Sequence, residues 1–358
     1  MLEWTDDIAC LKPRWSRLAE ASGNLFCTWE WASTWWKHFG AEDGPLIALG
    51  PGEHPVLVPL YRGRHRGISA LRLLGDGLGG RVAPVCHPQQ REEARAALAE
   101  AIATAPGRHT LFVGQGLPGE DRWDRVLDGA QRQRESSPVL RFDGGSWEDY
   151  LKARSRNFRQ QVRRRERRLH ERHDVRLRLA DEHTVSQDLE TLFELHGARW
   201  NGESDAFAGR RKDFHRDFAS VAEQRGWLRL WVLELDGQPA AAWYGFRYGG
   251  AEWYYQSGRD PGYDDEAVGF VLLVHTIRST SEDGVGEYRF LLGDESYKQR
   301  FTSEDPGDLT VLAPTGALGR AALALAGARR SARAALTTLR GALTRDTDRR
   351  AAPRPAER

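Results

Sequence analysis

Residues 251–270 read AEWYYQSGRDPGYDDEAVGF. Trp253, Tyr254 and Tyr255 are residue types that fit a pleated, half-buried surface, so a strand is expected from Ala251. Gly258, Pro261 and Gly262 are expected to break it. Residues 270–277, FVLLVHTI, are apolar nearly all round, which predicts a buried helix opening near Val268. A strand that runs through a glycine-containing loop into a helix offers a ligand two kinds of contact. The strand edge presents backbone groups to an extended chain, and the helix start presents N–H groups to phosphates.

Outward from this stretch the second half is regular. Residues 175–179, VRLRL, alternate as a strand. Thr184 and Gln187 form a capping box for a helix with Leu189, Leu192, Phe193, His196 and Trp200 on one face. A second helix is expected over about 212–224. Strands over 227–235 and 240–248 meet at Asp236-Gly237, a strong hairpin signal. Gly249-Gly250 turns the chain into the opening strand. Residues 287–292 are a further strand, and 294–301 a short helical segment. Residues 309–312 are expected to close the sheet. Three meandering strands make that sheet mixed rather than all parallel.

The first half reads as mixed α/β. WEWASTWWKHF, residues 29–39, has apolar positions at helical spacing, with Thr28 as the N-cap. Strands are expected over 46–49, 55–61, 68–74 and 110–113, and an Ala-rich helix over 91–104. GDGLGG, residues 75–80, satisfies a dinucleotide-type glycine spacing. Pro84 and Pro88 follow where that site needs a helix to open, so a glycine-rich turn is the reading.

A formal net charge of +1 hides segregation. From Lys152 to Arg178 twelve basic residues face three acids, and residues 313–358 hold ten arginines against three acids. The rest of the chain is acidic. Ser146 with Asp149 starts a helix that continues into the basic run, whose Phe158, Val162, Arg165 and Leu169 share a face. The tail is expected to be a flexible basic extension, with possible contact to a membrane surface or a protein partner. Cys10, Cys27 and Cys86 form neither a metal pattern nor a disulfide framework. His170 and His173 lie among arginines that repel a cation, and Cys86-His87 are adjacent on a proline-flanked loop. No metal site is expected. With no apolar run of about 18 residues and no signal-peptide pattern, a cytoplasmic protein is expected.

Five segments together carry a family resemblance: TWEWASTWWKHFG, SRNFRQQVRRRERRL, LHGARW, DGQPAAAWYGFRYGGAEWYYQSGRDPGY and FLLGDESYKQRF. In this order and spacing the chain resembles the CelD/BcsL-type GNAT-like acetyltransferases (BioF2-like acetyltransferase domain), relatives of the FemAB peptidyltransferases. The resemblance implies an α/β fold of two tandem GNAT-like lobes, each a mixed, mostly antiparallel sheet flanked by helices. Lobes are expected over 1–145 and 146–312, with the donor on the second. It implies N-acyl transfer from acetyl-CoA or another acyl-CoA to an amine of a sugar, a polysaccharide precursor or a metabolite, in exopolysaccharide biosynthesis.

On this reading Tyr255, Gln256, Ser257, Gly258, Val268, Gly269 and Lys298 bind the donor. The loop departs from the GNAT phosphate motif, because Asp264, Asp265 and Glu266 stand beside the expected diphosphate and only Gly269 fits. Arg259 or Lys298 is then needed to offset those acids. Tyr297 resembles the GNAT acid that protonates the thiolate. His196 suits a general base at neutral pH, with Asp294 and Glu295 as competitors. Arg199, Trp200 and Trp243 are expected to line the acceptor pocket. Two other functions remain open: a FemAB-type aminoacyl-tRNA-dependent transferase gripping RNA through Lys152 to Arg178, and an inert scaffold in polysaccharide assembly.

Overall fold

A computed structural model describes residues 1–40, 44–51, 56–142, 144–302 and 304–325. The N-terminal part comprises β1 (Glu3–Thr5), α1 (Lys12–Ser22), α2 (Trp29–Phe39), β2 (Pro45–Leu49), β3 (Leu57–His65), β4 (Ile68–Leu73), α3 (Arg91–Thr104), β5 (Leu111–Pro118) and β6 (Gln131–Glu135). The C-terminal part comprises β7 (Val139–Arg141), α4 (Trp147–Ala153), α5 (Arg156–Arg172), β8 (Val175–Leu179), α6 (Val185–Arg199), α7 (Arg210–Gln224), β9 (Leu228–Leu235), β10 (Gln238–Tyr248), β11 (Ala251–Arg259), α8 (Val268–Glu282), β12 (Glu287–Arg289), α9 (Ser296–Gln299) and β13 (Asp308–Pro314).

The strands form two sheets in the orders β1-β2-β3-β4-β5-β13-β6 and β7-β12-β11-β10-β9-β8. All pairings are antiparallel except β4 with β5 and β11 with β12. This is the expected α/β architecture of two mostly antiparallel sheets flanked by helices. One strand departs from expectation. Residues 309–312 do not close the second sheet: β13 runs back into the first, between β5 and β6. In exchange β7, which precedes residue 145, joins the second sheet beside β12. Sheet membership therefore does not divide the chain at 145 and 312.

Local chemistry sets the element ends. The Thr28 side chain accepts from the Trp31 N–H and starts α2. Ser146 and Asp149 form the expected capping box of α4. The basic helix does not continue from it. Arg154 is extended, and Ser155 caps a separate helix by accepting from the Phe158 N–H. Thr184 does not cap α6; the Asp181 carboxylate instead accepts from the N–H groups of His183 and Thr184. Asp236 and Gly237 both have positive φ, 52° and 79°, as a tight hairpin turn requires. Of the tail, residues 313–314 end β13 and residues 316–325 are helical. Residues 326–358, on which the rest of the flexible-tail expectation falls, lie outside the described residues.

The lobes share one aromatic core. Trp31 of α2 meets Phe214 and Phe218 of α7 with ring centroids 5.0 and 4.8 Å apart. Phe26 meets Trp253 of β11 at 5.5 Å. Such edge-to-face pairs are worth about 0.5–1.5 kcal/mol each beyond area burial. The Trp-rich helix thus fixes the first lobe against the sheet that carries the opening stretch. A second core beneath α4, α5 and α8 contains Phe158, Val162 and Leu169, so the basic helix docks by the predicted apolar face.

Candidate active site

Strand β11 changes neighbours along its length. Against β10 the register shifts: Gly245 pairs with Tyr254 and Tyr244 with Gln256, leaving Tyr255 as an extra residue. Such a bulge bends a strand and frees backbone groups. Against β12 it pairs only through Ala251, Glu252 and Trp253. From Tyr254 onward that edge diverges from β12. A cleft of about 380 Å³ fills the gap, lined by Arg199, Tyr254, Ser257–Arg259, Asp264, Ala267, Gly269, Phe270, Leu273 and Tyr297.

Gly258 does not break the strand, which runs to Arg259. A Cβ on Gly258 would lie 2.3 Å from the His196 backbone nitrogen and 2.5 Å from the Leu195 carbonyl carbon. The glycine lets α6 lie directly on β11. The break comes at Asp260, followed by a 3-10 turn over Pro261–Glu266 and by Ala267 at φ 56°. Helix α8 starts there without a side-chain cap and with no acid in its first turn. Its first N–H groups are therefore available to a ligand.

The three acids before α8 are partly neutralised. Arg259 holds Asp264 at 2.7 Å, and Arg172 of α5 reaches Glu266 at 3.3 Å. Lys298 is not available for this task. It is buried, and its Nζ lies 2.7 Å from the Leu292 carbonyl and 2.9 Å from Glu295. Its role is to tie α9 to the end of β12, because a buried ammonium needs every donor satisfied.

A chain of hydroxyls crosses the cleft. The Tyr297 hydroxyl donates to that of Tyr254 at 3.4 Å. Tyr254 and Ser257 hydroxyls are 2.6 Å apart. Arg199 donates to Ser257 Oγ at 2.7 Å. Burial, together with the neighbouring Tyr254, pushes the Tyr297 phenol well above its ordinary range, so it stays protonated at neutral pH. Tyr254 is the member that residue patterning did not single out. Strand alternation beside the bulge was the available signal, since Tyr255 takes the opposite direction.

Several expected site residues lie elsewhere. The Tyr255 side chain enters the lobe junction, 4.9 Å from His215 by ring centroids, and its hydroxyl donates to the Leu78 carbonyl of the glycine-rich turn. Gln256 is half-buried on β11 opposite Tyr244. Val268 is fully buried, whereas Gly269 lines the cleft. Trp243 is buried beneath Tyr254, stacked at 5.4 Å, and touches no open space. Asp294 is exposed beside Arg134 and Ser136, outside the cleft; Glu295 is committed to Lys298. Arg199 lies over the Trp200 ring at 5.0 Å; Trp200, 42% exposed at the end of α6, is not among the residues that line the cleft.

His196 is buried and does not line the cleft. Its Nδ1 lies 3.0 Å from the Ser257 carbonyl, which can only accept, so Nδ1 carries the proton. Nε2 then accepts from the Ser204 hydroxyl at 2.9 Å. Burial lowers its pKa, partly offset by the Ser257 carbonyl. A neutral imidazole with both nitrogens engaged orients Ser257; it has no nitrogen free for a substrate proton.

Among the described residues no cluster of His, Cys, Asp and Glu could hold a metal ion. Burial pushes the Cys27 and Cys86 thiols up to about 12 and about 11, which leaves both unreactive. No described helix is long and apolar enough to cross a membrane.

Comparison with known proteins assigns the class to this part of the chain. Residues 156–299 match the family model described as an acetyltransferase (GNAT) domain. That stretch holds β8 to β12 and every residue that lines the cleft, so the match falls on the part of the chain that carries the candidate site. Over 84–88% of its length the chain is similar in fold to solved structures, among them the following three. A conserved protein of unknown function from Bacteroides thetaiotaomicron VPI-5482 is 12% identical, over 88% of this chain and 100% of that one, with a TM-score of 0.59. FemX is 12% identical over 87% and 96%, with a TM-score of 0.57. L-PGS from Bacillus licheniformis is 12% identical over 84% and 90%, with a TM-score of 0.50. No curated protein sequence matches the chain.

Proposed function

We propose that the protein is an N-acyltransferase that moves an acyl group from an acyl-CoA, acetyl-CoA first among them, to a primary amine. The observation that carries this reading is a coincidence in one cleft: a diverging strand edge, an uncapped helix start and a half-buried, protonated tyrosine. The residues present fit a thioester of this kind. The free edge of β11 from Tyr254 to Arg259 suits an amide-bearing arm, and Phe270 with Leu273 supplies an apolar wall. Gly269 and the first turn of α8 suit a diphosphate, with Arg259 alongside.

When bound, the thioester supplies an activated acyl carbon and a thiolate leaving group. Tyr297 holds the proton that the departing sulfur needs, and Tyr254 positions it. Backbone N–H groups at the bulge, around Tyr255 to Ser257, are the donors for the oxyanion. Arg199 and the exposed Trp200 offer the acceptor an anion-binding fork and an aromatic face, which suits a sugar or a polysaccharide precursor. The cleft's carboxylate, Asp264, is paired to Arg259 near the phosphate end. The amine is therefore taken as its free base, and turnover rises with pH up to the amine's own pKa.

We place this chemistry in a lobe of about residues 146–312 and the family at the CelD/BcsL type, acting in the cytoplasm. The test is titration with acetyl-CoA and longer acyl-CoAs, following tryptophan fluorescence and melting temperature. Ligand at 100 times its dissociation constant stabilises by about 2.7 kcal/mol. No shift with any acyl-CoA sinks the proposal. A second reading, aminoacyl transfer from a charged tRNA, is favoured by the arginine-rich face of α5. It requires RNA binding that weakens steeply with salt.

A further inference from the structure

The arginines of α5 are not spread evenly over solvent. A depression of about 530 Å³ is lined by Asn157, Gln160, Gln161, Arg163, Arg164, Arg167 and Arg300. Its wall is guanidinium and amide, with no carboxylate. Arg300 comes from the end of α9 and bonds the Gln161 amide oxygen across the gap. Arg167 has Glu171 at 3.6 Å. Arg163 and Arg164 are exposed and have no acidic partner among the described residues. Four like charges converge with one exposed acid, Glu171, beside them; they repel one another, and a multivalent anion relieves that cost.

The depression adjoins the cleft. Arg165 lies over the Phe270 ring at 4.6 Å and Arg300 over the same ring at 5.8 Å. Phe270, in the first turn of α8, is also a wall of the cleft. Phe270 therefore links the start of α8, where the diphosphate is proposed to sit, to the arginines beside it. The donor proposed above carries one further phosphate, on the 3′ oxygen of its ribose.

We propose that Arg163, Arg164, Arg167 and Arg300 form a binding site for the donor's ribose 3′-phosphate, selecting CoA over its 3′-dephosphorylated form. The inference rests on the acyl-CoA reading. Helix α5 precedes the first strand of the second-lobe meander, so the selectivity is an addition to the cleft and can be removed without touching it. The bidentate fork of arginine suits a terminal phosphate better than lysine does.

The experiment compares the affinity of the full-length protein for acetyl-CoA and for 3′-dephospho-acetyl-CoA at low salt. Binding is measured by calorimetry on the native chain and on an R163A/R164A/R167A variant. These exposed side chains lie on one face of a helix whose apolar side stays intact, and the melting temperature checks folding. The expected result is a preference of at least tenfold for the 3′-phosphorylated donor, falling to about one in the variant and partly restored by the three Arg→Lys changes. Equal affinities in the native protein, or a preference that survives the variant, overturn the site while leaving the acyl-CoA reading standing. If neither donor binds, both fail. If the two donors bind alike while an oligoribonucleotide binds with a steep salt dependence that the variant abolishes, the patch is a nucleic-acid surface instead.

Discussion

The two lobes contain the same crossover and use it differently. In the first, β4 leads through α3 to β5; in the second, β11 leads through α8 to β12. Each strand pair is parallel, and each runs together for only three residues before diverging. The helix starts differ. The first turn of α3 carries Glu92 and Glu93, and Arg95 there bonds both Glu92 and the Asp121 carbonyl. The first turn of α8 has no acid, and neither helix start carries a side-chain cap. The first lobe also fills its gap: Val85 bridges to Leu57, and Arg81 is buried between Glu120 and Asp308. One helix start carries two acids and the other none. A repeated fold does not imply a repeated site; the charge of one helical turn decides which copy can receive an anion.

The comparison is sharpened most strongly at the acid. Tyr297→Phe removes the proton and keeps the ring. Turnover should fall by about 10²- to 10⁴-fold with acyl-CoA affinity little changed. Steady-state rates beside a binding titration check this, and a fully active variant removes Tyr297 from the scheme. Next comes the contact between α6 and β11. In Gly258→Val the new side chain meets the backbone of Leu195 and His196, and overpacking of this kind costs about 1–3 kcal/mol. Chemical denaturation should show that loss together with weaker acyl-CoA binding. Unchanged stability contradicts the close approach. The third test makes the second lobe imitate the first. Gly269→Glu puts an acid on the first turn of α8, where a Cβ meets only the flexible Arg259 side chain at 3.4 Å. Acyl-CoA affinity should drop about tenfold as a favourable helix-end interaction becomes a repulsive one. E92Q/E93Q on α3 should leave that affinity unchanged. If the α3 change alters donor binding, the lobes have been assigned the wrong way round.

Much of this was legible in residue order. The meander from β9 to β11 was marked by Asp236-Gly237 and Gly249-Gly250, since few other pairs accept two positive φ values in succession. Tyr297 and Gly269 came from the resemblance to the GNAT pattern, and both line the cleft. The errors share a cause: they concern direction and distance, which spacing does not carry. Alternation along β11 sends Tyr254 to the cleft and Tyr255 to the lobe junction, and the bulge at Tyr255 brings Ser257 to the face of Tyr254. Lys298 and His196 had the right chemistry, but their partners, the Leu292 carbonyl, Glu295, the Ser257 carbonyl and Ser204, are set by folding. Gly258 reads as a breaker because glycine punctuates strands; its reason is a helix backbone arriving from 62–63 residues away. The exchange of β7 and β13 between sheets is a non-local pairing with no local signature.

The smallest expected effect concerns pH, and it also separates the lobes. His215 of α7 is fully buried at the junction, facing Phe207, Phe214, Tyr244 and Tyr255. The one charged group felt there is Arg211, one turn away on the same helix. Burial, with that arginine adding to it, drives the imidazole down to about 3. The folded state therefore refuses a proton that the unfolded chain accepts near pH 6.5. Above that value both states are neutral and nothing is lost. As pH falls from 6.5 toward 3 the unfolded state is progressively favoured, so stability falls on acidification. Between pH 7.5 and 6 the loss from this group is on the order of 1 kcal/mol. Asp308 of β13, in the first sheet, acts in the opposite sense. Burial raises it to about 6, Arg81 offsetting part of that shift, so the folded state gains relative stability as pH falls through 6 toward 3.8. Hydrogen exchange at pH 6 against pH 7.5 should thus loosen α7 and β10 before β5 and β13. His215→Gln keeps an acceptor for Tyr244 and cannot titrate; it should flatten the acid slope of stability whatever its baseline cost. A slope unchanged by that substitution shows that the acid sensitivity of the junction comes from another group.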